Sequence, residues 1–249
     1  MKVLITGASS GIGRDMARIF AKRGDELFLV ARRENRLLEL KNEFDTRVHI
    51  ICLDLSKREN CYQLYENLKD EDIDILINNA GLGAFGSFDQ LSLDQELNII
   101  DVNDVASHIL TKLFLKQFVE KDQGKILNVC SSAAFFPGPL MATYYASKAY
   151  LYRLSLSIYQ ELKKNKSHVN ISVLCPGPIA TEFQEKADVK FSIKAISSEK
   201  CARIAVKGLL KNKLIIIPTF MMKCGKFFSR FLSEKMILRL SYHFQKRKK

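Results

Sequence analysis

The chain has 249 residues, 47% of them hydrophobic, enough to bury a full core in one domain. No apolar run reaches the roughly 18 residues of a membrane-spanning helix. The net charge of +12 is uneven: residues 1–198 carry 25 Lys and Arg against 25 Asp and Glu, and the last 51 carry 14 against 2, so the body is neutral and the basic excess is C-terminal.

Apolar runs of strand length recur in chain order at 2–6, 26–31, 47–52, 74–77, 125–130, 169–175 and 213–218. Each is nearly continuous rather than alternating, which predicts strands covered on both faces, as in a parallel sheet. Between them, residues 12–23, 34–43, 57–69, 94–120, 144–163 and 198–210 have apolar positions at i, i+3 and i+4 and predict helices, the last capped by Ser197. This alternation predicts an α/β fold, a single Rossmann-type doubly wound parallel sheet of about seven strands flanked by helices. It spans residues 1–218, and 219–249 form a basic C-terminal extension. The opening MKVLITGASS turns from strand to glycine turn after one lysine and leaves no signal-peptide segment, so a cytoplasmic protein is expected. Six cysteines without a C-x-x-C pair or metal-ligand spacing predict reduced thiols and no metal site.

Small and polar residues follow each strand: Gly7, Arg32 and Arg33, Asp54, Asn78 to Gly81, Ser131 and Ser132, Pro176 and Gly177. Ligands of open α/β sheets bind outside the carboxyl ends of the strands, so these residues converge on one crevice. The turn TGASSGIG between the first strand and first helix holds Gly7, Ser9, Ser10, Gly11, Ile12 and Gly13. Glycines there permit positive φ and close approach of a pyrophosphate, and the helix N-terminus supplies donors and a favourable dipole. The second strand ends in Arg32-Arg33, with Arg14 just after the glycine turn. Guanidinium groups suit a ribose 2′-phosphate, whereas a carboxylate would suit a free 2′-hydroxyl, so NADP(H) is favoured. Glu34 keeps NAD(H) as the alternative. Asp54, beside Leu55, is placed to meet the adenine or to cap the next helix.

In TYYASK, both Tyr144 and Tyr145 fall within reach of Lys148 on a helix of 3.6 residues per turn, Tyr144 with the better alignment. A phenol titrates near pH 10, and an adjacent ammonium together with a cationic nicotinamide would lower that toward 7, where it becomes an effective acid–base.

With TGASSGIG, NNAG (78–81), YYASK (144–148) and PGPIAT (176–181) in this order, the chain resembles the short-chain dehydrogenase/reductase family over nearly all of its length to about residue 218. The resemblance selects Tyr144 as the acid–base and leaves Tyr145 as its neighbour. It implies Ser131, thirteen before Tyr144 and three after Asn128, as the group that binds the carbonyl oxygen, with Ser132 its understudy. It implies Asn103 as the holder of a proton-relay water and Lys148 as the ligand of the nicotinamide ribose. Asn78 would join neighbouring strands, and Ala80 and Gly81 would sit beside the adenine ribose. Pro176, Gly177, Ile179 and Thr181 would clamp the nicotinamide carboxamide. The implied activity is hydride transfer between NADP(H) and a ketone, aldehyde or secondary alcohol.

Selectivity is expected from Leu82, Phe85 and Phe88, from Phe135, Phe136, Leu140 and Met141, and from Phe183, Val189, Phe191 and Ile193 within a flap at 182–196. Such residues predict a small apolar substrate. From Phe220 to Phe244 apolar residues recur at helical spacing among lysines and arginines. This basic amphipathic segment suits an anionic membrane surface; the alternative is docking of its apolar stripe on the body or a second subunit. No aromatic–basic motif accompanies the charge, so nucleic acid is not expected. The predicted helix 144–163 is apolar on nearly every face, which predicts a homodimer or homotetramer. A competing reading is a nucleotide-binding redox sensor acting through its basic tail.

Overall fold

A computed structural model describes residues 1–183, 187 and 195–246. Strands β1 (Lys2–Thr6), β2 (Glu26–Ala31), β3 (Val48–Cys52), β4 (Ile75–Asn78), β5 (Lys125–Val129) and β6 (Asn170–Leu174) are followed by β7 (Ile179–Ala180), β8 (Ile196–Ser197) and β9 (Ile215–Ile216). Seven of them form a parallel sheet in the order β3-β2-β1-β4-β5-β6-β9, and β7 pairs with β8 alone. The order reverses between β1 and β4, where a crevice opens at the carboxyl ends.

Alternate residues of one strand enter different cores, which is why the runs carry no polar alternation. In β1, Val3 and Ile5 pack with Met16 and Phe20 of helix α1 (Gly11–Ala21), and Leu4 packs with Phe114 and Phe118 on the other side. Helices α2 (Glu34–Asn42) and α3 (Arg58–Leu68) lie on opposite faces of the sheet. The predicted run 213–218 supplies only the two residues of β9.

The single helix expected at 94–120 is three pieces. Helix α4 (Leu93–Ile100) runs into a π-helical turn (Asp101–Ala106) and then α5 (Ser107–Glu120). The widened turn carries Asn103, fully buried, whose side chain is held from three directions. Apolar periodicity cannot report such an insertion, because the turn changes the helix by one residue only.

Helix α6 (Ala142–Lys164) starts two residues before the predicted edge and leaves Tyr150 exposed on its outer side. Helix α7 (Ser198–Leu210) is capped as expected, the Ser197 hydroxyl accepting from the Lys200 amide at 3.2 Å. A buried polar chain ties the sheet to α5 and α6: Asn78 donates to Thr111 (2.9 Å) and to Asn128 (2.8 Å), and Asn128 donates to Ser155 (2.8 Å).

The basic extension is two helices, α8 (Phe220–Phe228) and α9 (Glu234–Lys246), separated by a short 3₁₀ turn. They fold back onto the body. Met222 abuts Gly177, the Lys226 ammonium donates to the Tyr152 hydroxyl at 2.9 Å, and the Ser241 hydroxyl donates to the Pro137 carbonyl at 2.6 Å. Among the described residues no helix is long and apolar enough to cross a membrane.

Candidate active site

The crevice has a volume of about 960 Å³ and brings together most of the residues singled out by sequence. Gly7, Ser9, Ser10, Gly11 and Ile12 form one wall, Arg32, Arg33, Asp54 and Leu55 one end, and Ala80 and Gly81 the floor. Ser131, Tyr144, Lys148, Pro176, Gly177, Ile179 and Thr181 close the other end. Gly7 and Gly11 have φ of 64° and 55°, as the turn requires. A Cβ on Gly7 would lie 2.8 Å from the Ala80 Cα, so glycine there also lets β4 and the turn approach.

Gly13 and Asn78 stand off this wall and serve the architecture around it. Gly13 packs the turn, a Cβ there falling 2.6 Å from the Gly7 carbonyl oxygen. Asn78 is 2% exposed and spends its amide on Thr111 and Asn128, away from the crevice.

The far end is a cluster of charge. Arg33 donates to the Ser9 hydroxyl at 3.1 Å, and Arg32 lies 4.0 Å from Asp54, whose other oxygen accepts from the Ser56 amide at 3.1 Å. Sequence reading missed Arg36 and Glu182: Arg33 and Arg36 both pair with the Glu182 carboxylate. Only Arg36 left a signal, one helical turn beyond Arg33. A positive-φ glycine turn at a helix start, with a guanidinium beside its serine, is a fitting cradle for a dinucleotide.

At the other end, Asn103 Oδ1 accepts from the Leu82 amide (2.8 Å), while Nδ2 donates to the Leu82 carbonyl (3.0 Å) and the Ser147 hydroxyl (2.9 Å). Ser147 in turn donates to the Tyr144 carbonyl at 2.8 Å, so the π-turn, the loop after β4 and α6 are pinned together. Lys148 is 5% exposed; its Nζ donates to the Val129 carbonyl at 3.1 Å and lies 5.9 Å from the centre of the Tyr144 ring. The Tyr144 side chain stands beside Ser131, whose hydroxyl accepts from the Ala133 amide at 3.1 Å. Tyr145 also lines the crevice, its ring edge-on to Tyr144 at 6.0 Å and packed against Gly138 beside Gln245 of α9.

The apolar walls are partly those expected. Leu82, Phe136, Met141 and Phe183 line the crevice, whereas Phe88 is 67% exposed and Phe135 packs against Tyr152. Val189, Phe191 and Ile193 lie outside the described residues. The missing wall comes from the extension: Met221, Met222, Phe228, Leu232, Ile237 and Leu240. Sequence showed their apolar stripe but not what it would cover.

Comparison with known proteins decides the family. The short chain dehydrogenase model matches residues 1–190. The chain belongs to the short-chain dehydrogenase/reductase family. It is thus an oxidoreductase acting on CH–OH groups and their carbonyl counterparts. It is 34% identical to hydroxysteroid dehydrogenase-like protein 1 of Gallus gallus, over 84% of this chain and 66% of that protein. Thus the chain spans slightly less than two thirds of that relative. A short-chain dehydrogenase from Sphingobium yanoikuyae in complex with NADPH superposes with a TM-score of 0.82 and 31% identity, over 88% of both chains. The bulky-bulky ketone specific alcohol dehydrogenase of Comamonas testosteroni gives 0.78 and 28%, over 88% and 86%. A family member from Burkholderia phymatum in complex with NAD shares the fold at 0.82 and 21%, over 91% and 92%.

Electrostatics in this dehydrogenase are set largely by burial. Without the nicotinamide, burial pushes the Tyr144 phenol well above its ordinary value, and the neighbouring Ser131 only partly opposes this. Burial likewise lowers the Lys148 ammonium. Burial raises Asp104, next to Asn103, to about 6, against the attraction of Lys148. Because the folded state favours protonated Asp104, its stabilising contribution is full below about pH 4 and is lost as pH rises through 6. Asp104→Asn is therefore expected to raise the melting temperature by a few degrees at pH 7.5 and to leave it unchanged at pH 3.5, read by circular dichroism; equal effects at both pH values would refute this assignment.

Proposed function

We propose that the chain is an NADP(H)-dependent enzyme that interconverts bulky apolar ketones or aldehydes and their alcohols, with Tyr144 as acid–base. The observation that carries this reading is the half-buried Tyr144 lining the crevice beside Ser131, with the Lys148 ammonium 5.9 Å from the centre of its ring. Bound there, the nicotinamide would supply or take up the hydride.

The Ser131 and Tyr144 hydroxyls are together placed to hold a carbonyl oxygen, and a phenol kept protonated by burial is in the correct state to donate to it. Lys148 uses one of its three donors on Val129, which leaves others for ribose hydroxyls at the crevice. Asn103 fixes Leu82 and, through Ser147, the start of α6, and so positions both ends of the pair. The redox-sensor alternative loses support here, because sensing a nucleotide requires no acid–base.

Arg33 beside Ser9 supports NADP(H), as does the NADPH complex of the Sphingobium relative. The apolar wall from α8 and α9 supports a bulky substrate, in keeping with the ketone named for the Comamonas relative. The outer side of the extension presents Phe227 and Phe231 with Lys223 and Arg230, an apolar and cationic surface that supports peripheral contact with an anionic bilayer.

Tyr144→Phe should reduce NADPH-dependent reduction of an apolar ketone by at least about a hundredfold while preserving NADPH binding, and Tyr145→Phe should stay active; the reverse pattern would move the role. Paired replacement of Arg32 and Arg33 by Ala should raise the Michaelis constant for NADPH far more than for NADH, and an equal rise would end the 2′-phosphate assignment. Full-length protein should co-sediment with phosphatidylserine vesicles and lose this on Phe227→Ser with Phe231→Ser; unaltered sedimentation would remove the membrane contact.

A further inference from the structure

Three consecutive residues after β7 cross the crevice and touch three different parts of it. The Thr181 methyl lies 3.0 Å from where a Cβ on Gly11 would sit, so Thr181 covers the glycine turn. The Phe183 ring lies 5.3 Å from the Tyr144 ring and also packs on Gly83. Between them, Glu182 accepts from Arg33 Nη1 at 2.9 Å and from Arg36 Nη1.

The second nitrogen of Arg33 is engaged with Ser9 at the same time. A carboxylate bridging two guanidinium groups beside a serine hydroxyl takes up the donors that a phosphate monoester would use. The chain thus holds an anion of its own on the cations that the NADP(H) reading assigns to the ribose 2′-phosphate. These are not permanent buried pairs: the Arg33, Arg36 and Glu182 side chains are 32%, 40% and 28% exposed. Exposed pairs of this kind are individually weak and exchange readily.

Resting on that reading, we propose that Glu182 is a built-in competitor of the 2′-phosphate and a determinant of how strongly the enzyme prefers NADP(H) to NAD(H). A 2′-phosphate carries more charge than a carboxylate and offers three acceptor oxygens, so it displaces Glu182 from Arg33 and Arg36. A free 2′-hydroxyl carries no charge and leaves the carboxylate in place. Part of the attraction between the arginines and NADP(H) is consequently used in separating Glu182 from them. Displacement also frees the segment that holds Phe183 against Tyr144, which links occupation of the adenosine end to access at the reacting end.

Calorimetric titration of the full chain tests this with NADPH, NADH, adenosine 2′-monophosphate and adenosine 5′-monophosphate as probes. Relative to wild type, Glu182→Gln and Glu182→Ala should each bind NADPH and the 2′-monophosphate about three- to tenfold more tightly, the scale of two exposed ion pairs. Affinity for NADH and the 5′-monophosphate should change by less than about twofold on the same scale. Unchanged or weaker binding of both 2′-phosphate probes, or an equal gain for NADH, overturns the proposal. A wild type that prefers NADPH while neither variant gains overturns the Glu182 role alone. A wild type without that preference overturns the cofactor reading and the Glu182 role together.

Discussion

One ammonium held almost out of water at the carboxyl edge of the sheet constrains the whole site. Lys148 is 5% exposed and has the Val129 carbonyl as its hydrogen-bond acceptor, 3.1 Å away. Taking a charge out of water is expensive unless polar partners surround it, so the neighbourhood has to be built to receive it. Gly81 leaves room, since a Cβ there would stand 3.2 Å from Nζ, and Asp104 lies near enough to favour the charged form. A dinucleotide ribose, rich in hydroxyls, has the chemistry to share that charge.

The surrounding architecture maintains this arrangement through polar atoms rather than through the apolar cores. Asn103 binds both backbone groups of Leu82 and reaches Ser147, and Ser147 reaches Tyr144. One layer below, Asn78, Thr111, Asn128 and Ser155 repeat the device between β4, β5, α5 and α6. Buried polar networks fix a unique geometry because any slip leaves a donor or acceptor unpaired. Apolar packing tolerates small shifts far better. A reaction that depends on placing a phenol against a carbonyl oxygen calls for the former.

Much of this was legible in the sequence because it depends on local rules. Continuous apolar runs give a two-sided parallel sheet, and residues after strand ends gather at one crevice, as Gly7, Arg33, Ala80, Ser131 and Pro176 do. What was illegible depends on insertion or on long-range contact. Nothing in the 94–120 pattern reveals the π-turn that aims Asn103. The stripe at Met221, Leu232, Ile237 and Leu240 announces burial without naming its partner, which is the mouth of the crevice. Glu182 lies 149 residues from Arg33, and an ion pair over that distance leaves no local trace. The desolvation that raises the Tyr144 phenol in the chain alone is likewise invisible in sequence, where only adjacent charge can be read.

The pH dependence of kcat/KM, measured in both directions on one bulky apolar ketone and alcohol pair, tests the central claim most directly. If Tyr144 is the acid, reduction is constant at low pH and falls as the phenol ionises, while oxidation rises over its own corresponding range. A reduction that speeds up with rising pH, or an oxidation that slows with it, would contradict the account.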